Sequence, residues 1–590
     1  MPSRDSFTTR PLYLGRRGLI VAGHYLAARA GQRMFDKGGN AIDAAVAAGF
    51  ALNLLKPHQN GLGGEVPILI YSASEKKVFS LSGQGWIGKA ATVEAFRKLG
   101  IKLIPGDGFL PACVPAAFGS WAFALARFGT LTLAEVLEPA IDYARNGFPM
   151  WDGLRSALVG LAKRFRQEWP SSAALYLPDN RIPALGELHR NPDWAATLSR
   201  VVEVEKKARK HGRAEAIQSA IDYWYNSDEV AGRIVDFLSK NAIRDASGKS
   251  HTGLLTRDDF AAWKPKLEPP VSVDYKGLTV YKCGPWTQGP VFLQQLRLLE
   301  GFDLARMGHN SASTIHTIVE AAKLAFADRE KYYGDPDHVQ VPLERLLSRE
   351  YAEQRRKLID PERASMELRP GDGPATTPDG ESVLFAPDRE FDSVYDHDTT
   401  HTCAIDATGN MMAATCSGGW IPSSPVIPGL GFPMGTRGQM FDLDPHRPGV
   451  VAPRKRPRTT LTPSLVLRGG KPYMVFGTPG GDQQDQWTLV FFLNHVIFGL
   501  NLQQAIDAPN FHTTHFPSSF YPRKAVPGEV VVEGRISAAT QKELAARGHK
   551  VKVVCNWAHG IVMAAQFGPE PGTLCAGVSP RGNSGYVSGD

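Results

Sequence analysis

Apolar residues recur at helical spacing in three long stretches, with strand-length apolar runs between them. "GGNAIDAAVAAGFALNLLKP" reads as an alanine-rich helix, started by Asn40 and stopped before Pro57. "HQNGLGGEVPILIYSAS" then reads as a glycine turn feeding an apolar strand. "TLAEVLEPAIDYARNGF" is a second helix, with Asn146-Gly147 as its C-terminal stop. In "STIHTIVEAAKLAFADREKYYGDPD" the residues Ile315, Ile318, Val319, Ala322 and Phe326 share one helical face. That third helix ends at Gly334, ahead of Pro336.

The pattern changes over about 365–398. "RPGDGPATTPDGESVLFAPDREFDSVYDHD" is rich in Pro, Gly and Asp, lacks periodicity, and predicts an exposed, mobile connector. Directly after it, "HTCAID-ATGN-MMAATC" predicts two short strands around a glycine turn, and "SLVLR-GGK-PYMVFGT" a second hairpin. The latter runs through "PGGDQQ" into an apolar helix, "WTLVFFLNHVIFG". No internal repeat is present.

With 590 residues the chain is long enough for three to four domain equivalents or one large multilayer domain. It is 43% hydrophobic and 21% charged, as globular proteins are. The net charge of +7 is modest, and basic residues are scattered apart from "RKRPR" at Arg454–Arg458. Such a run reads as a solvated loop, and no nucleic-acid partner is expected. The six cysteines have no CxxC spacing, so neither a disulfide framework nor a zinc site is signalled. His512 and His515 in "FHTTH" lack further ligands nearby and read as loop residues; no metal and no cofactor is expected. There is no GxSxG elbow, P-loop or HExxH. "AIDAAVAAGFALNLL" is too short to span a bilayer and carries Asp43, so no membrane partner is expected. The first residues lack the basic start and apolar run of a secretory signal, which gives a cytoplasmic expectation; an exported protein whose leader had been removed would read the same way.

Thr399 stands where the connector ends and a strand begins. This suits a chain that cuts itself there, because a loop can deliver the peptide bond and a strand then holds the new terminus. A free N-terminal threonine carries a nucleophilic hydroxyl and, in its α-amine of pKa about 7.7–8.0, a base near working pH. Attack on an amide builds charge on oxygen, which needs hydrogen-bond donors. Gly480 and Gly481 of "GTPGGD" are candidates, since glycines let a substrate approach backbone N–H groups at a helix start. Two glycines equally make a plain strand-to-helix turn, and threonine is common at strand starts. His401 reads as strand packing rather than a general base, and Trp286 in "GPWTQGP" as either pocket wall or core.

Taken together, the motifs resemble the γ-glutamyltranspeptidase family of N-terminal-nucleophile hydrolases over nearly the whole chain. They are, in order, "GGNAIDAAVAA", "NGLGG", "VPAAFGSW", "LEPAIDYARNGF", "AFADREKYYGDPD", "TTHTCAIDATGN", "GQMFDLDP", "KRPRTTLTPSL" and "GTPGG". The resemblance implies an α+β fold, a four-layer αββα sandwich. It implies self-cleavage between Asp398 and Thr399 into a large fragment 1–398 and a small fragment 399–590 that stay intertwined, with room for a homodimer of the processed pair. It implies Thr399 as nucleophile, Gly480 and Gly481 as oxyanion hole, and Thr400 and Ser417 as supporting hydroxyls. Gln439, Asp442, Thr459 and Thr460 would line the pocket for the polar end of a small-molecule amide.

Two positions depart from the family pattern. Gln84 stands where an arginine pairs with the donor's α-carboxylate, and a neutral amide replaces that fork poorly. Gly419 stands where an asparagine helps hold the donor's α-amine. Asp442 could still accept an ammonium group, and Arg458 is the candidate to replace the missing cation. The segment between "GQMFDLDP" and "KRPRTT" is short, which predicts a more open pocket, tolerant of bulkier donors or favouring water as acceptor, and "GGDQQDQ" is similar to the amidohydrolase-like branch that includes oxamate amidohydrolase. A self-processing amidohydrolase is the expected function; the missing arginine argues against a true γ-glutamyltransferase or glutathione hydrolase, and the presence of Thr399, Thr400, Gly480 and Gly481 argues against an unprocessed, inactive binding protein.

Overall fold

The computed structural model describes residues 7–373 and 399–590. Asp398 and most of the predicted connector lie outside them. The strands of the two main sheets are, in chain order, β1 (Tyr13–Gly15), β2 (Gly18–Ala22), β3 (Gly64–Glu65), β4 (Ile68–Ser72), β5 (Lys77–Ser82), β6 (Lys266–Glu268), β7 (Val271–Tyr275), β8 (Leu278–Lys282), β9 (Thr399–Asp406), β10 (Met411–Gly418), β11 (Ser464–Arg468), β12 (Lys471–Gly477), β13 (Met563–Phe567), β14 (Leu574–Val578) and β15 (Tyr586–Gly589). One sheet runs β1-β14-β13-β12-β11-β8-β7, the other β6-β5-β4-β10-β9-β2-β15 with β3 beside β10. Each sheet mixes strands from before residue 374 and after residue 398, so the two parts of the chain form one intertwined unit.

Side-chain alternation explains the layering. Cys403 and Ile405 of β9 point inward with Val21, Leu69, Met411 and Ala413, and meet Leu465, Val475, Met563 and Ala576 of the other sheet. Ala404 points the other way, with Met412, Ala414 and Cys416, under helices α1 (Ala41–Leu55) and α2 (Leu133–Asn146). On the far side Val280, Val466, Met474 and Phe476 pack under α3 (Gly289–Leu299), α4 (Ala312–Tyr332) and α5 (Gln484–Val496). The expected αββα sandwich is the fold.

Local signals at the helix ends hold. Asn40 caps α1 by accepting from Ile42 N and Asp43 N, and Asp43 completes the capping box. The β9–β10 turn is tied to the same helix: Asp406 accepts from Thr408 N and Asn410 N, and its other oxygen accepts from Ala41 N at 2.9 Å. Gly64 of "NGLGG" is there for close approach, because a Cβ would lie 2.1 Å from the Ser417 carbonyl oxygen.

Two expectations need correction. The connector does not start as a mobile segment at 365. Ser365 N reaches Glu320, Gly371 N donates to Asp328 at 2.8 Å, and Gly371 O accepts from Lys331 and Tyr332. The "RKRPR" run is not a solvated loop either. Arg456 and Arg458 are only 6% and 8% exposed. Arg454 pairs with Asp259, Arg456 with Asp335 and Glu268, and Arg458 with Glu330. Charges this deep must be paired, and each of these acidic partners comes from the part of the chain before residue 374.

Candidate active site

Thr399 opens β9, buried, directly opposite Ser417 of β10. Its hydroxyl donates to Ser417 Oγ at 3.1 Å. Ser417 Oγ also accepts from Arg437 Nη2 at 2.9 Å. The guanidinium is ion-paired with Glu65 of β3 at 2.5 Å and flanked by the rings of Trp420 and Phe520 at 5.3 and 5.6 Å. Burial pushes the Glu65 carboxyl up, against the pull of Arg437.

Phe520 also reaches the glycine turn. Gly481 has φ +52°, and a Cβ on it would sit 2.9 Å from the Phe520 ring. Gly480 has φ +122°, and its missing side chain leaves the room that Trp487 fills, 2.1 Å from a Cβ position. Both conformations favour glycine. The turn is anchored by Asp482, which accepts from Arg329 Nη1, from Ser519 N at 2.8 Å and from Ser519 Oγ at 2.6 Å. Contacts thus link Thr399 to the glycine turn through Ser417, Arg437 and Phe520.

The residues expected to line a pocket divide into those near these contacts and those committed elsewhere. Gln439 accepts from Tyr521 N at 3.1 Å and donates to Gly106 O at 3.1 Å, tying the 515–524 loop to the site. Asp442 faces Arg447 and Arg523 at 3.6 and 3.9 Å. Thr459 is pinned through its backbone to Trp286 O and Gln288 N, while the buried Thr460 hydroxyl has no hydrogen-bond partner among the described residues. Gln84 donates its Nε2 to Gly85 O, leaving its buried Oε1 without a partner among them.

Three residues are placed against expectation. Thr400 is not beside the Thr399 hydroxyl: alternation turns it to the helix-facing side, where Gly23 makes room for it. Arg458 is committed to Glu330 at 2.8 Å and to Ser519 Oγ at 3.0 Å. Burial opposes ionisation of Glu330, but Arg458 and Arg329 outweigh it and hold the carboxyl down to about 2. Gly419 has φ +60°, and a Cβ there would lie 2.5 Å from Gly64 N, so the backbone leaves no room for an asparagine.

His401 serves packing, as expected. Its Nδ1 meets Thr415 Oγ1 at 3.0 Å, and burial, with Lys282 nearby, pushes its pKa down to about 3. His512 accepts from Trp487 Nε1 at 3.3 Å, and His515 accepts from Gly528 N at 3.0 Å. Among the described residues one group, His316, Glu320 and His549, is close enough to hold an ion. Its atoms already bond one another and Lys323: the two rings meet at 2.8 Å, and Glu320 takes the ammonium at 2.6 Å.

The sequence reading missed Glu65, Arg437 and the 515–524 loop. The signals were close: Glu65 follows "NGLGG" directly, and Arg437 stands one residue ahead of "GQMFDLDP".

A threonine opening a central strand of an αββα sandwich, linked through side-chain contacts to a glycine turn, defines the N-terminal-nucleophile hydrolases as the class. The chain belongs to the γ-glutamyltranspeptidase family, whose profile matches residues 27–588. It is similar to the glutathione hydrolase-like YwrD proenzyme of Bacillus subtilis (strain 168), 33% identical over 97% of this chain and 99% of that one. Among solved structures it is similar to LmbA2991HD, with 44% identity, a TM-score of 0.93 and coverage of 99% and 100%. It is also similar to a cephalosporin acylase from Bacillus halodurans, with 30% identity, a TM-score of 0.83 and coverage of 100% and 99%. The chain is thus a γ-glutamyltranspeptidase-like amidohydrolase with proenzyme relatives.

Proposed function

We propose that the chain cleaves itself between Asp398 and Thr399, and that the freed Thr399 hydrolyses an amide whose acyl part carries no α-carboxylate. The α-amine of Thr399 takes the hydroxyl proton as Oγ1 attacks the acyl carbon, and the N–H groups of Gly480 and Gly481 receive the oxyanion. The ammonium then protonates the leaving amine, and water, activated by the same amine, releases the acyl group. Gln439, Asp442, Thr459 and Thr460 line the donor pocket.

One observation carries the donor class: the guanidiniums beside Ser417 and Thr459 are spoken for. Arg437 is locked to Glu65, and Arg458 to Glu330. Gln84, at the position of the family's carboxylate-binding arginine, offers an acceptor oxygen, which repels a carboxylate and suits an N–H donor. The named relatives, a glutathione hydrolase-like proenzyme and a cephalosporin acylase, handle different donors, so family membership alone leaves the donor open.

The test compares γ-glutamyl-p-nitroanilide with neutral acyl-p-nitroanilides, with and without an amine acceptor. The expected result is a kcat/KM at least about tenfold higher for a neutral donor, a difference of about 1.4 kcal/mol, with little change when the amine is added. A preference for the γ-glutamyl donor, accelerated by the amine, contradicts the proposal and favours a transferase.

A further inference from the structure

The start of β9 lies beside a buried ion pair that the reaction scheme above does not use. Glu65 and Arg437 meet at 2.5 Å, and their side chains are 4% and 1% exposed. A pair this deep is a weak source of stability, because desolvation of two charges offsets most of their attraction. Its geometry serves something else. Glu65 stands directly opposite Ser417 in the β3–β10 ladder. Its carboxylate takes Arg437 Nε and Nη2, and the same Nη2 donates to Ser417 Oγ at 2.9 Å. Trp420 and Phe520 flank the guanidinium. The cation is therefore fixed by a carboxylate and two rings, and donates to the hydroxyl that accepts from Thr399.

We infer that Glu65 and Arg437 are positioning residues for Thr399: Arg437, held by Glu65, fixes and polarises the Ser417 hydroxyl beside the nucleophile. This rests on the reading of Thr399 as nucleophile.

A guanidinium only donates, so Ser417 Oγ accepts from Arg437 on one side and from the Thr399 hydroxyl on the other. With a cation on one lone pair, Ser417 is a poor base and does not take the Thr399 proton. That proton goes to the α-amine as the Oγ1–carbon bond forms and the carbonyl electron pair moves to oxygen. It leaves with the amine when the carbon–nitrogen bond breaks, so Ser417 ends with the proton it began with. As Oγ1 loses its proton, Ser417 can turn its own hydrogen toward it, and the neighbouring cation strengthens that donation. Glu65 cancels the charge of Arg437 at longer range, so the α-amine feels a neutral pair. Other charges near the start of β9 are Lys56, close to Thr400, and the Lys282–Asp485 pair, whose ammonium acts on His401.

The experiment uses Arg437→Gln, Glu65→Gln and the double variant, with Lys56, Lys282 and Asp485 unchanged. Their kcat, KM and the acid limb of kcat/KM against pH are read on the neutral anilide. Removing the cation favours the protonated amine, so the limb moves to higher pH. Removing the anion leaves the cation uncompensated, so the limb moves to lower pH. The double variant returns toward wild type. Each single shift is about half a pH unit or more. In Arg437→Gln, kcat falls about 10–100-fold with KM changed less than about threefold, and Arg437→Lys recovers part of the loss. Where a glutamine variant is not processed, Arg437→Lys and Glu65→Asp take its place. They keep both charges, so the limb stays at the wild-type pH while kcat falls. Limbs that coincide across wild type and both glutamine variants with unchanged kcat, or a shifted limb in the charge-conserving variants, overturn the inference and leave Thr399 standing as nucleophile. A wild-type chain with no Thr399 terminus overturns both.

Discussion

Arg458 and Glu330 form a buried ion pair at 2.8 Å, joining the segment after "KRP" to the "ADREK" helix. The cation next to Thr459 is therefore a structural tie rather than a donor anchor. Arg458→Met is expected to leave KM for any donor within about threefold while lowering stability by about 1–3 kcal/mol, less than a fully orphaned charge because Arg329 still faces Glu330. The pH dependence follows. Glu330 is held down to about 2 in the fold against an ordinary 4.5, so its stabilisation is present above 4.5 and is lost as pH falls toward 2. The gap between wild type and variant in chemical denaturation should be full at neutral pH and shrink across that acid window. A selective rise in KM for acidic donors would restore Arg458 to the pocket.

Arg329 and Ser519 hold Asp482, which lies in the short 3-10 turn Gly481–Gln483 that leads from Gly480 and Gly481 into α5. Asp482→Asn weakens the charge-assisted bonds with little change of shape. It should lower kcat by about 10²-fold, toward the loss of an oxyanion donor, with KM nearly constant. An unchanged kcat would remove the glycine turn from the oxyanion role.

Gly419→Asn restores the residue type of typical γ-glutamyl enzymes, yet it should not restore glutamyl recognition. The Cβ would press on Gly64 N at 2.5 Å, in a strand that also carries Glu65. The expected outcome is a loss of about 1–3 kcal/mol and impaired processing. A stable variant with improved γ-glutamyl turnover would contradict it.

Thr400→Val tests the face of the strand. The Thr400 hydroxyl is buried with no hydrogen-bond partner among the described residues, so an isosteric apolar side chain should be neutral or stabilising and leave processing intact. Loss of processing would put that hydroxyl in the reaction.

The parts of the fold legible in the sequence were those with local causes. Asn40 and Pro57 bracket α1 because capping and proline act within one turn. The β9–β10 hairpin was legible from its glycine turn, whereas Ser417 was placed near Thr399 only by the family resemblance. Thr400 was misplaced although a period of two already puts it opposite Thr399. The Glu65–Arg437 pair spans 372 positions and has no local signature, so only the ladder that sets β3 beside β10 reveals it. Arg458 reads the same in sequence whether it faces a donor or Glu330, and "RKRPR" gave no sign that its acidic partners lie more than a hundred residues upstream.

N-terminal sequencing of freshly purified chain, beside its Thr399→Ala variant, tests the account most directly. The account predicts a second terminus reading Thr-Thr-His in the wild type, a single chain in the variant, and amidase activity only in the former. Active wild-type protein with no terminus at Thr399 would contradict it.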